Sequence, residues 1–253
     1  MRILIVRHGV PDYQRDTLTA QGWKEAELLA PYLVRENPDR ILLSPYGRAQ
    51  DTAKKTIELT GIVPEVREWL CEFDGGALAG NALPNFASWH QPPQVWEPDP
   101  LCLTDRWRES DLFRDTNFVR RYDEDKVQLE QFLSELGYDR QGAGFRVREE
   151  FFDSNPTVLF FCHLGRCVVL LSQLLDLPFM TVASRFWIPT SSITEVIFER
   201  SSVDRGYAIA RCGCVGSVPH LQTAGVPRYN SGFLMPYGGY TRASDPTVQQ
   251  AKE

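Results

Sequence analysis

The sequence predicts an α/β fold: a mostly parallel central sheet with helices on both faces, plus an inserted loop and helical subdomain. Three observations predict it. Two continuously apolar runs, residues 2–6 and 157–162, lack the alternation of a half-exposed strand and read as strands buried on both faces. The segments follow the order strand, helix, strand, helix, strand, insert, strand, helix, hairpin, which suits a parallel sheet covered by helices. Polar and cationic residues cluster where strands end, at Arg7-His8, Ser44 to Arg48 and His163. In open α/β sheets ligands bind outside those carboxyl ends.

Taken in order, the first strand closes on Arg7-His8-Gly9. Thr19 is a helix N-cap, and Trp23, Ala26, Leu29, Ala30 and Leu33 follow at helical spacing until Pro38. Arg40 to Leu43 is a second strand. Ser44-Pro45 turns the chain into a helix over Tyr46–Leu59 that Gly61 closes, and Ile62 to Val66 is a weak third strand. From Gly75 to Asp115 regular pattern is lost in a Pro-, Gly- and Trp-rich stretch containing "LPNFASWHQPPQVWEPDPLCLTDRW", the pattern of a lid or substrate loop. A helix over 118–136 carries the stripe Phe118, Tyr122, Leu129, Phe132, Leu133 and Leu136, with Asn117 as cap and Gly137 as stop. Phe145 to Phe152 reads equally as helix or strand. After the strand at 157–162, a helix runs from His163 through Leu175 and stops before Pro178. Ser192 to Glu199 and Tyr207 to Cys212 pair as a hairpin. The organisation expected is one domain over 1–222, with 75–150 inserted as a lid and specificity region, and a C-terminal tail over 223–253 that wraps or frays.

Composition narrows the function classes. The chain has 253 residues, 43% hydrophobic and 24% charged, with a net charge of −6. That balance argues against nucleic acid or an acidic membrane as partner. No window approaches the roughly twenty apolar residues of a membrane span, and the start lacks a signal-peptide pattern. The six cysteines show no recurring zinc spacing. A reduced, cytoplasmic protein is expected, with no metal and no cofactor; oligomeric state stays open.

The motifs at the strand ends carry the chemistry. Arg7-His8-Gly9, Leu18-Thr19 with Gly22, "SPYGRAQDTA" at 44–53, Glu72 in "WLCEFDGG", His163 in "LFFCHLGR", "TSSITEVIF" at 190–198 and "VPHL" at 218–221 occur in one order along the chain. In these residues the sequence resembles the histidine phosphatase superfamily, the phosphoglycerate-mutase-like fold, over about 1–75 and 155–221. The resemblance implies that His8 is the nucleophile and forms a phosphohistidine. A neutral imidazole suits that role if a carbonyl at the Gly9 turn holds the proton on its other nitrogen and flanking cations depress its pKa. Arg7 and Arg48 are implied as phosphate-binding forks, Arg48 in the first turn of its helix, with an ion pair to Asp51 as its alternative fate. His163 is implied as a second, protonated imidazole on the phosphate. Glu72 is implied as the general acid that protonates the leaving oxygen and then activates water, with Asp74 as rival. His90 is expected on a loop surface and His220 in support of the pocket.

Two departures stand out. Leu164 follows the second histidine where the family has Gly, and Ala79 precedes Gly80 where it often has Glu. The reading is hydrolysis of a small phosphorylated metabolite without a metal. The alternatives are mutase-type phosphoryl transfer and a catalytically silent phosphate-binding module. Arg106, Arg108, Arg120 and Arg121 of the insert are candidates for binding a second acidic group on the substrate, and Trp89, Trp96 and Trp107 either close over an apolar or ring moiety or pack the insert onto the sheet.

Overall fold

The structure is a computed structural model that describes residues 1–80, 82 and 87–227. The expected tail beyond residue 227 and insert residues 81 and 83–86 lie outside the described residues.

β1 (Arg2–Arg7) is apolar between its terminal arginines and almost wholly buried, and it stands inside the sheet. The two-residue strands β2 (Pro11–Asp12) and β3 (Thr17–Leu18) pair antiparallel and turn the chain above the end of β1. α1 (Ala20–Arg35) starts where Thr19 accepts the Gly22 amide, as its N-cap pattern predicts. β4 (Arg40–Leu43) leads into α2 (Gly47–Thr60), which ends at Gly61 in the left-handed conformation that closes helices. β5 (Glu65–Val66) is a short edge strand beside β4. The insert holds one helical turn, α3 (Pro93–Trp96), several 3-10 turns, and then α4 (Phe118–Glu135). Asn117 flanks α4 without making a side-chain cap.

β6 (Tyr138–Gln141) and β7 (Gly144–Val147) form a hairpin that pairs with the far edge of the main sheet. The segment left undecided at 145–152 therefore starts as strand and ends as a 3-10 turn. Tyr138, Phe145 and Val147 point into the core and decide for strand, a tertiary cause that local pattern does not reveal. β8 (Thr157–Cys162) is buried along its whole length, and α5 (Leu164–Leu175) and α6 (Phe179–Arg185) follow. β9 (Ile193–Arg200) and β10 (Tyr207–Ser217) form the expected hairpin, with register shifts at Cys212/Cys214 and Cys214/Ser217. α7 (Pro219–Thr223) packs on α1.

Among the described residues the sheet has eight strands in the order β5-β4-β8-β1-β9-β10-β7-β6. The half from β5 to β1 is parallel, and the half from β9 to β6 is antiparallel. The alternation of β1 shows both faces covered. Ile3 and Ile5 join the core with α4, α5 and α6, while Leu4 and Val6 join that with α1 and α2. Each such side chain contributes roughly 1.5–3 kcal/mol on burial, which is why a continuous apolar run is stable only at the centre of the sheet.

Candidate active site

Three adjacent parallel strands, β1, β8 and β4, end at one level. Arg7 lies opposite Cys162, and the His8 amide donates to the Cys162 carbonyl at 2.9 Å. His8 and His163 therefore each stand just past the end of neighbouring strands, with ring centroids 5.2 Å apart. On the other side of β8 the Ser44 amide donates to the Phe161 carbonyl, which brings the end of β4 to the same place.

The ring of His8 is oriented by its own turn. Nδ1 lies 2.8 Å from the Gly9 carbonyl, an acceptor only, so Nδ1 carries the proton and Nε2 keeps a lone pair. The Gly9 amide donates to Thr52 Oγ1, and a Cβ on Gly9 would fall 2.9 Å from the Gly22 carbonyl, so the turn requires glycine. Burial, then Arg7 and Arg48, push the His8 pKa well below the usual histidine value against the Gly9 hydrogen bond. The imidazole is therefore held neutral at neutral pH.

His163 is fully buried, and its Nε2 lies 2.7 Å from Ser44 Oγ. Ser44 Oγ already accepts the Tyr46 amide, so its own proton is available to Nε2. The Nδ1–H tautomer results, and Nδ1 has no protein partner. It is a buried donor suited to a phosphate oxygen. Burial, then His8, Arg48, Arg166 and Arg7, push this pKa strongly down. In the free site His163 is therefore neutral, whereas the sequence reading has it protonated on a bound phosphate. A dianion beside it would act in the opposite direction.

The Arg7 side chain is buried, and Nη1 donates to the Ile188 carbonyl at 2.7 Å. Arg48 stands in the first turn of α2, with Nη1 2.5 Å from Asp16 Oδ1 rather than paired with Asp51, whose carboxylate accepts from Thr17. The rings of Tyr46 and Tyr13 flank its guanidinium at 4.8 and 5.5 Å. Asp16 also accepts the Gly47 amide at 2.7 Å, which ties the β2–β3 turn to the start of α2.

Glu72 reaches the same site from the opposite side. Its Oε1 accepts the amides of Phe73 at 3.0 Å and Arg166 at 3.1 Å, so it caps the amino end of α5. Burial raises its pKa, while those amides, Arg7 and Arg166 hold it down. A carboxyl balanced in this way can give and take a proton. The rival Asp74 is mostly exposed, and its bond to Arg121 holds its pKa low, which suits a surface ion pair and not an acid. A Cβ on Gly165 would fall 2.3 Å from Trp89 Nε1 and 2.8 Å from Glu72 Oε1, so this indole and this carboxyl share the space a side chain would fill. Leu164, in the family's glycine position, is buried at the start of α5.

The structure thus brings His8, His163, Arg7 and Arg48 together, with Glu72 in the field of Arg7 and Arg166. Sequence reasoning missed the roles of Ser44 and Arg166. Arg166 had a signal: it is the one charge in the otherwise uncharged helix LGRCVVLLSQLL. His220 is buried with Nε2 3.1 Å from Ser191 Oγ, and the Ser191 amide donates to the His8 carbonyl, so it supports the turn from behind. His90 lies half-buried beside Trp89. The insert arginines are engaged by carboxylates: Arg106 by Glu109, Arg108 by Asp123, Arg120 by Glu124 and Arg121 by Asp74. Trp96 and Trp107 are buried in the core, so of the three tryptophans only Trp89 borders the site. Among the described residues no group of three or more His, Cys, Asp or Glu has metal-site geometry, and no helix is long and apolar enough to cross a membrane.

Fold and site define an α/β protein with two imidazoles and two guanidiniums at the carboxyl ends of parallel strands. A family model described as histidine phosphatase superfamily (branch 1) matches residues 3–111. The fold of the wider chain is similar to that of a solved mycobacterial hydrolase, with TM-score 0.57 and 20% identity over 86% of this chain and 98% of that one. A phosphoserine phosphatase mutant from Entamoeba histolytica gives TM-score 0.55 and 18% identity over 87% and 98%. A mycobacterial glucosyl-3-phosphoglycerate phosphatase gives TM-score 0.53 and 18% identity over 85% and 98%. No curated protein matches the chain.

Proposed function

We propose that the protein hydrolyses a small phosphate monoester through a phosphohistidine on His8. The observation that carries this reading is the setting of His8: its proton is held by the Gly9 carbonyl, which leaves the lone pair on its other nitrogen, and Arg7, Arg48 and His163 stand around the ring. Phosphoryl transfer is mostly positioning and charge stabilisation, which fixed guanidiniums and buried donors supply.

In the first step Nε2 of His8 forms the N–P bond as the ester P–O bond breaks. Glu72 gives its proton to the departing oxygen, and the alcohol leaves. In the second step the Glu72 carboxylate takes a proton from water, whose oxygen forms the new P–O bond as N–P breaks. Phosphate leaves, and His8 and Glu72 regain their starting states. Arg7, Arg48 and the Nδ1–H of His163 neutralise the phosphoryl oxygens throughout. Trp89 stands beside Glu72, so the alcohol departs along an indole. The engagement of the insert arginines by carboxylates favours water as acceptor over a mutase that must hold a second anionic group.

The test is a panel of phosphate monoesters with wild type and His8→Ala, read by phosphate release and by acid-labile, base-stable labelling. Turnover and label in the wild type, both lost in His8→Ala, are expected. Turnover that survives His8→Ala overturns the reading, and a wild type with neither signal favours a silent binding module.

A further inference from the structure

We propose that Arg166, clamped by Asp125 of α4, is a positioning residue for Glu72 that fixes both where this carboxyl stands and the charge it meets. This rests on Glu72 being the general acid.

Arg166 holds the 71–73 turn from both directions. Its backbone amide donates to Glu72 Oε1 at 3.1 Å, while its side-chain Nε donates to the Cys71 carbonyl at 2.9 Å. The same guanidinium lies 5.5 Å from the centroid of the Phe73 ring. One residue thus touches the residue before Glu72, Glu72 itself and the residue after it. Its remaining anchor is Asp125, with Nη1 to Oδ2 at 2.5 Å and side chains only 5% and 19% exposed. An arginine buried to this degree is costly unless a carboxylate meets it, so Asp125 keeps Arg166 in place. α4 comes from the insert side of the chain and α5 is N-capped by His163, so the pair links the insert to the helix that follows the second histidine.

The charges around Glu72 are few. Arg7 approaches from β1, Arg166 and the amide end of α5 from the other side with His163 at the helix start, and Cys71 and Cys162 are uncharged thiols nearby. From the insert, Trp89 brings no charge. Asp125 lies behind Arg166 and offsets part of its field. Removing the cation and removing the anion therefore push Glu72 in opposite directions, an outcome that loosened packing alone does not produce.

The experiment measures kcat/KM against pH for Glu72→Gln, Arg166→Met, Arg166→Lys and Asp125→Asn, on an alkyl phosphate such as glycerol 3-phosphate and on p-nitrophenyl phosphate. The alkoxide needs a proton to leave, and nitrophenolate does not. If Glu72 is the acid, activity on the alkyl ester falls as pH rises through its pKa, and Glu72→Gln removes that limb. Arg166→Met should move the limb up by about one pH unit, and Asp125→Asn should move it down by about half a unit. Arg166→Met should also cost about ten- to a hundredfold more on the alkyl than on the aryl ester, with partial recovery in Arg166→Lys. If Glu72→Gln keeps the limb, the general-acid reading falls and this proposal with it. If Glu72→Gln removes the limb but Arg166→Met and Asp125→Asn shift it the same way or not at all, the positioning role alone is overturned. Should Arg166→Met fail to fold by near-UV circular dichroism, Arg166→Lys and Asp125→Asn carry the decision.

Discussion

Ser44→Ala isolates the contribution of one hydroxyl to the site. Ser44 and His163 are both fully buried, and Oγ stands 2.7 Å from Nε2. Alanine keeps the end of β4 apolar and close-packed, but it leaves Nε2 without a partner on a ring whose Nδ1 has none either. A buried polar group left unpaired costs about 1–3 kcal/mol. In a chain of this size that is roughly 3–10 °C in Tm. The Tyr46 amide also loses its acceptor, so the upper part of that range is expected. The kinetic effect has a separate origin. The Ser44 proton holds His163 in the Nδ1–H tautomer, and without it the ring divides between two tautomers, one of which aims a lone pair at the phosphate. Weakening that bond by about 1–2 kcal/mol lowers kcat/KM about five- to thirtyfold. The assays are thermal unfolding, kcat/KM on p-nitrophenyl phosphate and the ring 15N shifts of His163, which report the tautomer directly. Lower stability with unchanged kcat/KM and an unchanged tautomer would refute the functional half of this reasoning, and no change in stability would refute the structural half.

Two further outcomes follow from the same geometry. Gly165→Ala puts a methyl 2.3 Å from Trp89 Nε1 and 2.8 Å from Glu72 Oε1. It should therefore shift the Trp89 fluorescence and slow alkyl phosphate turnover, and adding Trp89→Ala should restore part of the loss; an active Gly165→Ala with unshifted emission contradicts the packing described. His220 bears on acid stability. Burial pushes its pKa down to about 4, below that of unfolded histidine, so unfolding takes up a proton. Its stabilisation is complete above about pH 6.5 and is lost as pH falls towards 4, roughly 2 kcal/mol by pH 5. His220→Asn should flatten the fall in denaturant midpoint between pH 7 and 5. His8 and His163, displaced in the same direction, still contribute to that fall. A midpoint that falls as steeply in the variant removes His220 from this account.

Much of the fold was legible because its information is local. The uninterrupted apolar runs of β1 and β8 have no stable place except between two layers of helices, and Thr19 and Gly61 punctuate helices through their own backbone chemistry. The β6–β7 hairpin was not legible, since Tyr138, Phe145 and Val147 become strand by packing onto a sheet edge made by residues sixty positions later.

The sequence by itself determined which chemical groups exist and that parallel strand ends would present His8, His163 and the start of α2 to one crevice, because side-chain periodicity and strand polarity are read along the chain. Only the tertiary structure decided their states. The Gly9 carbonyl assigns the proton of His8, Ser44 assigns that of His163, Asp16 holds Arg48, and Arg166 with the end of α5 meets Glu72. Tautomer, charge and orientation depend on which atoms stand within about 3 Å, and those atoms are supplied by residues far apart in sequence.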